Sequence, residues 1–481
     1  MSDRYDLIEA RFLNDAMPVL GRYVELECLS PDFDPDWAEH GAIDAAVELL
    51  AAWASARRLE GAEVRMARLE GRSPALIVEV PAFRGGTGSA LLYGHLDKQP
   101  PLGSWSDGLG PFTPVRRGDL LFGRGTGDDG YSLFSALLAL ESLQAAGNPH
   151  PRCMVLIEAS EESGSPDLEA HLDALGSELA EVDLVVCLDS GALSYDRLWV
   201  TTSLRGCVVL SLEVAVLEHG VHSGEASGVV PSSFRLARQL LDRIEDPVTG
   251  ELLLPELRVQ IPEHHLAAAA SLARELSDPL STHFPTVPGL ELMGRDGAER
   301  LVRQAWSAAL SVTGADGIPS VAEGGNVLRA STTLKLSVRI PPSVDAAVAQ
   351  RALIAALVTE PPAGATVKVV AGEPAQGWVA PSPARWLAAA LDEASLEAFG
   401  RATSFLGEGG SIPFLSSLGT RFPAAQFVVT GVLGPGSNAH GPDESLHLPC
   451  CFGVTTAVAG VLAALGREPR PSATRAAGAH R

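Results

Sequence analysis

The chain has 481 residues and a formal charge of −23, with 46% of its positions hydrophobic and 20% charged. That length exceeds one ordinary core and points to two or three domains, and the composition is that of a globular protein. The acidic excess argues against nonspecific attachment to nucleic acid or to an anionic membrane.

The N-terminal stretch "MSDRYDLIEARFLNDAMP" mixes acids with bases and has no apolar core of the signal-peptide kind. No run is expected to reach the roughly 18 apolar residues of a membrane span. The six cysteines (Cys28, Cys153, Cys187, Cys207, Cys450 and Cys451) are scattered without a C-x-x-C pair, as reduced thiols of a cytoplasmic protein would be.

In chain order, "WAEHGAIDAAVELLAAWASAR" (37–57) has helical spacing, and "PALIVEVPA" (74–82) and "GSALLYGHLD" (88–97) read as strands. A Gly-Asp loop opens the helix predicted over 132–146. "RCMVLIEASEE" (152–162) and "EVDLVVCLDSG" (181–191) are short apolar strands of the kind buried in an α/β sheet. Near residue 204 the texture changes. "CVVLSLEVAV" (207–216) alternates like a one-sided antiparallel strand. A helix at 231–244 follows it, then an irregular stretch over about 245–298, a helix at 298–311, a strand at 333–340, a helix at 343–358 and a strand at 365–371. A return linker at 375–386 leads to a helix at 384–399 and the strand "AAQFVVTGVLG" (424–434). This order predicts a mixed α/β sheet flanked by helices over 1–203 and 379–466, an α+β domain inserted at 204–378, and a disordered tail at 467–481.

Chemistry gathers where these strands end. His95 and Asp97, two apart, project to one side of their strand. Asp128 and Asp129 stand in the loop before a helix, Glu161 and Glu162 follow one strand, and Asp189 follows another. Open α/β sheets bind ligands at the carboxyl ends of their strands. Acids clustered around a histidine would repel one another without a cation among them, and imidazole with carboxylate is zinc chemistry.

Together, "GHLD", "GRGTGDDG", "EASEESGS", "CLDSG", "HSG" and "GPGSNAHGPDE" resemble, in their order, the two-zinc amidohydrolases: carnosinase-type dipeptidases, acetylornithine deacetylase, succinyl-diaminopimelate desuccinylase and the aminoacylases. The resemblance runs from about residue 15 to 465, and "SLRGCVVLSLEV" and "GEGGSIPF" lean toward the dipeptidases. It implies a zinc-exopeptidase-like sheet with a ferredoxin-like dimerisation and lid domain. His95, Asp128 and Asp189 would hold one zinc, and Asp128, Glu162 and His440 the second, with cobalt or manganese as substitutes. It further implies Glu161 as general base and Asp97 as the group that orients His95. His222, rather than the nearby His219, would serve the oxyanion of the partner subunit's site in a homodimer joined through the edge strand expected at "CVVLSLEVAV" and the helix after it. Arg339 would grip a substrate carboxylate, and Asn326, Gly410 and Ser411 would touch substrate.

Relatives carry lysine and glycine after the paired aspartates. This chain has Gly130 and Tyr131, which predicts a pocket that has lost a charge and gained a ring. The expected activity is hydrolysis of a dipeptide or an N-acyl amino acid bearing a free carboxylate. A biosynthetic deacylase or desuccinylase is the alternative, and a metal-retaining binding protein without catalysis is the third reading.

Overall fold

The computed structural model describes residues 2–469 apart from residues 180 and 285. Most of the expected tail, 470–481, lies outside the described residues. The chain forms two compact units. The first takes the chain up to Thr201, Ala380–Leu406 and the chain from Ser417 on; the second takes Thr202–Val379 and Gly407–Ser416.

A six-stranded sheet organises the first unit, in the order Glu63–Ala67, Ala75–Val80, Arg152–Glu158, Ser89–His95, Leu184–Cys187, Gln426–Val429. The first two pairings are antiparallel and the remaining three parallel. The strand ending at His95 is therefore central, with parallel neighbours ending at Glu158 and Cys187. Every residue of Ser89–His95 is buried, as expected of a strand covered on both faces. Helix Ser132–Ala146 is buried along most of its length, and it packs against helix Leu448–Arg467.

Helix Leu448–Arg467 corrects the expectation that no apolar run reaches membrane-spanning length. By length and composition it could cross a membrane, but most of it is buried inside the protein. It packs on helices Asp3–Arg11, Ser132–Ala146 and Arg385–Phe399, so its uniform apolarity is that of a helix surrounded by core. The expected helix over 37–57 is two helices, Trp37–His40 and Ala42–Ser55, parted at Gly41, whose φ of +72° ends the first. Helices Asp3–Arg11 and Met17–Val24 were not foreseen in the sequence.

In the second unit four antiparallel strands are ordered Ala309–Asp316, Ser331–Ile340, Gly206–Ala215, Thr366–Ala371. Helices Ser233–Leu241 and Ala346–Val358 supply Leu236, Leu240, Leu353 and Leu357 to one core with Val208, Leu210, Leu336 and Val338. With both helices counted, the order is β-α-β-β-α-β, the ferredoxin-like arrangement. Three expectations change here. The helix placed at 298–311 stops at Trp306, and Ala309–Asp316 is an edge strand held by pairing with Ser331–Ile340. The stretch at 245–298 contains the helix Glu263–Leu276. The strand Gly206–Ala215 is interior to its sheet and not an edge.

Candidate active site

The three parallel strand ends set the site. His95 closes its strand opposite Glu158 in register. The neighbouring chain leaves its strand at Glu158, earlier than the expected 162, and makes a short turn at Glu161–Ser163. The cause is Asp97, whose Oδ1 accepts from the Glu161 N–H at 3.1 Å and whose Oδ2 accepts from the Glu162 N–H at 2.9 Å. Asp97 thus fixes the turn that aims both glutamates. It also meets the His95 ring, whose Nδ1 lies 3.1 Å from the Asp97 carbonyl oxygen and 3.5 Å from its carboxylate.

Asp128 joins two sets of groups. Its Oδ1 is 3.2 Å from His95 Nε2, and its Oδ2 is 2.9 Å from His440 Nε2. Asp189 Oδ2 lies 3.9 Å from His95 Nε2, and Glu162 Oε2 lies 3.3 Å from His440 Nε2. Two triads result, His95–Asp128–Asp189 and Asp128–Glu162–His440, each with its donor atoms within 4.8 Å of one another. Glu161 belongs to neither. Asp129 turns away, with Oδ2 accepting from the His95 N–H.

The electrostatics fit divalent cations. Burial pushes the Asp189 carboxyl up to about 7, against the pull of His95 and with help from Asp128 and Glu162. Burial, then Asp189, pushes Glu161 well above the usual carboxylate range, and Glu162 is raised by burial and by Asp128. Burial works against a charged His440, yet Asp128 and Glu162 raise its pKa to about 11. Asp189, Glu161 and Glu162 are thus held toward their protonated forms, whereas His440 and His95 hold Asp128 ionised against its burial. Two oxygen-and-imidazole triads sharing a carboxylate suit zinc or a similar dication.

Sequence reasoning passed over the groups that hold these loops. Arg124 Nη1 donates to Glu444 Oε2 at 2.5 Å, and its Nη2 donates to the Gly441 carbonyl at 2.9 Å. Glu444 also accepts from the Gly125 N–H at 2.9 Å, so one buried ion pair joins the Asp128 loop to the His440 loop. Beneath Asp97, buried Glu158 accepts from the hydroxyls of Tyr93, Ser160 and Ser165. Arg124, Glu158 and Glu444 stood inside the quoted motifs, but only long-range contacts reveal their work.

The departure at 130–131 changes the core and not a pocket. Tyr131 is fully buried and donates its hydroxyl to the Leu188 carbonyl. A Cβ at Gly130 would fall on the ring edge of Tyr23 and on the carbonyl oxygen of Gly125.

The remaining expected residues belong to the second unit. Exposed His222 and Asn326 stand together: His222 pairs with Val327 across a short ladder, and the Ser223 N–H donates to the Asn326 carbonyl at 3.0 Å. The Gly224 N–H donates to His222 Nδ1 at 3.1 Å, which leaves Nε2 as the ring's N–H donor. Arg339 Nη1 donates to Ser411 Oγ at 2.7 Å, which donates to the Arg205 carbonyl at 2.6 Å; Gly410 precedes it, exposed.

A mixed α/β sheet with histidines and carboxylates gathered at its carboxyl edge defines a class, the metal-dependent hydrolases of open-sheet architecture. Residues 91–464 match the peptidase family M20/M25/M40, and the chain belongs to it. It is a hydrolytic enzyme of the metallopeptidase kind. A cysteinylglycine-S-conjugate dipeptidase of Corynebacterium striatum is 26% identical over 385 residues, 77% of this chain and 79% of that protein. The Cys-Gly metallodipeptidase dug1 of Schizosaccharomyces pombe is 27% identical over 334 residues, 68% of this chain and 69% of that one. The solved dipeptidase Dug1p of Saccharomyces cerevisiae is similar in fold, with a TM-score of 0.76 at 20% identity over 97% of this chain and 98% of its own.

Proposed function

We propose that the protein is a dipeptidase that cleaves the peptide bond of a small substrate bearing a free C-terminal carboxylate. The observation that carries this reading is the pair of triads sharing Asp128, with Glu161 beside Glu162 yet outside both. The dipeptidase activity named for the curated relatives supports the choice of substrate.

In this reading His95, Asp128 and Asp189 hold one zinc, and Asp128, Glu162 and His440 hold the other. When bound, such a cation pair lowers the pKa of a shared water and polarises the scissile carbonyl. Glu161 takes the proton from the attacking water and delivers it to the departing amine. Asp97 keeps Glu161 on its turn through the main-chain N–H it accepts. His222 donates to the developing oxyanion from the partner subunit of a twofold dimer, and Arg339 with Ser411 receives the substrate carboxylate while Asn326 and Gly410 line its path. The dimer contact then falls on a true edge, such as Ala309–Asp316, and not on Gly206–Ala215. The enzyme works in the cytoplasm.

The test is a panel of dipeptides and N-acyl amino acids offered to the purified, zinc-loaded protein. Dipeptides with a free C-terminus should be hydrolysed fastest. Turnover confined to N-acyl amino acids would assign a deacylase instead, and no turnover of either class overturns the proposal.

A further inference from the structure

Lys98 follows Asp97 and is fully buried, yet it has no ion-pair partner among the described residues. Its Nζ donates to the carbonyls of Tyr23 at 2.8 Å, Val24 at 3.2 Å and Leu26 at 2.7 Å, and sits 4.2 Å from the centre of the Tyr23 ring. These carbonyls close helix Met17–Val24, where unsatisfied oxygens and the helix dipole favour a cation.

The contact is one of a series. The Tyr23 hydroxyl donates to the Leu96 carbonyl at 2.9 Å, and Cys28 Sγ donates to the same oxygen at 3.3 Å. The Lys98 N–H donates to the Cys28 carbonyl, and the Ser30 N–H donates to the Lys98 carbonyl, each at 3.0 Å. Further along, Ser30 Oγ is 2.6 Å from Ser163 Oγ, which also accepts from the Asp32 N–H at 2.9 Å. Ser163 closes the turn carrying Glu161 and Glu162. One stretch, residues 23–32, therefore bonds to both segments that meet at the metal ligands: the chain after His95, and the Glu161–Ser163 turn.

We infer that Lys98 is a positioning residue of the metal site. By fastening residues 23–32 across these two segments, it keeps Asp97 under the Glu161–Glu162 turn and His95 facing Asp128. It touches neither cation nor substrate. The assignment rests on the reading of the two triads as a metal site.

The test measures metal affinity directly. Wild type, Lys98→Met and Ser163→Ala are stripped of metal, then titrated with zinc against a competing chromophoric chelator. Visible absorption of the cobalt-loaded forms is recorded beside thermal unfolding and steady-state kinetics. Methionine nearly matches the lysine in volume but removes the donor shared by three carbonyls, of which, among the described residues, only that of Tyr23 keeps another, the Leu26 N–H. Ser163→Ala cuts the far end of the same span at a half-exposed site, and remains informative if Lys98→Met fails to fold. Removing groups that orient metal ligands typically weakens metal binding about 10- to 100-fold. Both variants should lose at least about tenfold in affinity for the weaker site, shift the cobalt spectrum, and lower kcat with little change in KM. Variants that fold, bind zinc within about twofold of wild type and keep the wild-type cobalt spectrum overturn the inference, even if their unfolding temperature falls. A wild-type chain that takes up no divalent cation overturns the metal-site reading and this inference together.

Discussion

Glu161 and Glu162 are adjacent in sequence, and their differing places give a sharp pair of expectations. Glu162 joins a triad and Glu161 does not. Glu161→Gln should retain both metals by elemental analysis and lose activity about a hundredfold or more, since only the proton acceptor is removed. Asp128→Ala should lose metal itself, because one carboxylate serves both triads; full zinc occupancy in that variant contradicts the shared-ligand assignment. Arg339 is testable through its substrate. Amidating the C-terminus of a good dipeptide should slow wild-type turnover by about 10- to 100-fold, the scale of a lost charged hydrogen bond. The same change should matter little in Arg339→Ala, and equal sensitivity in both proteins would give Arg339 another task. Residue identity was the most legible layer in the sequence. The acids and His95 stood at visible strand ends, whereas His440 was assigned through the resemblance alone. It sits in a left-handed conformation at φ +63° on a loop with no regular periodicity.

Elements were legible where their own pattern decided them and misread where a partner did. The strand Ser89–His95 announces itself as a continuous apolar run. The strand Ala309–Asp316 owes its conformation to the ladder with Ser331–Ile340, so a helical pattern running into it from Gly297–Trp306 masked the change. The strand before Glu161 ended early because Asp97, just past the adjacent strand, captures two of its following main-chain N–H groups. The Asp128 loop yields a stability prediction at this scale. Gly130 leaves room for the Tyr23 ring and lies against a main-chain oxygen that cannot swing aside. Gly130→Ala should lower stability by about 1–3 kcal/mol, read as a fall in the urea midpoint at unchanged m-value. A variant as stable as wild type would mean that Tyr23 and the loop separate without cost.

At the scale of the whole molecule, the central expectation is that two chains build each site. Mixing inactive Glu161→Gln with inactive His222→Ala under conditions that exchange subunits should restore activity. A mixed dimer holds one site with both lesions and one with neither, so random exchange returns about a quarter of wild-type activity. If mass measurements confirm exchange and activity stays at the level of the separate mutants, His222 does not act across the interface.

By itself the sequence determined the alternation of strands and helices, the apolar strand that ends at His95, and the residue types at the site. Those follow from local periodicity and from acids placed at turns, which a linear reading can see. Only the tertiary structure decided which strands are edges, why the apolar helix Leu448–Arg467 is enclosed by protein, and how Asp128 faces both histidines. It alone paired Arg124 with Glu444 and brought Lys98 to the end of a helix some 70 residues earlier in the chain. The physical reason is common to all of these. A buried polar group is stable only with its partners, and those partners come from segments whose separation in sequence carries no trace of their meeting.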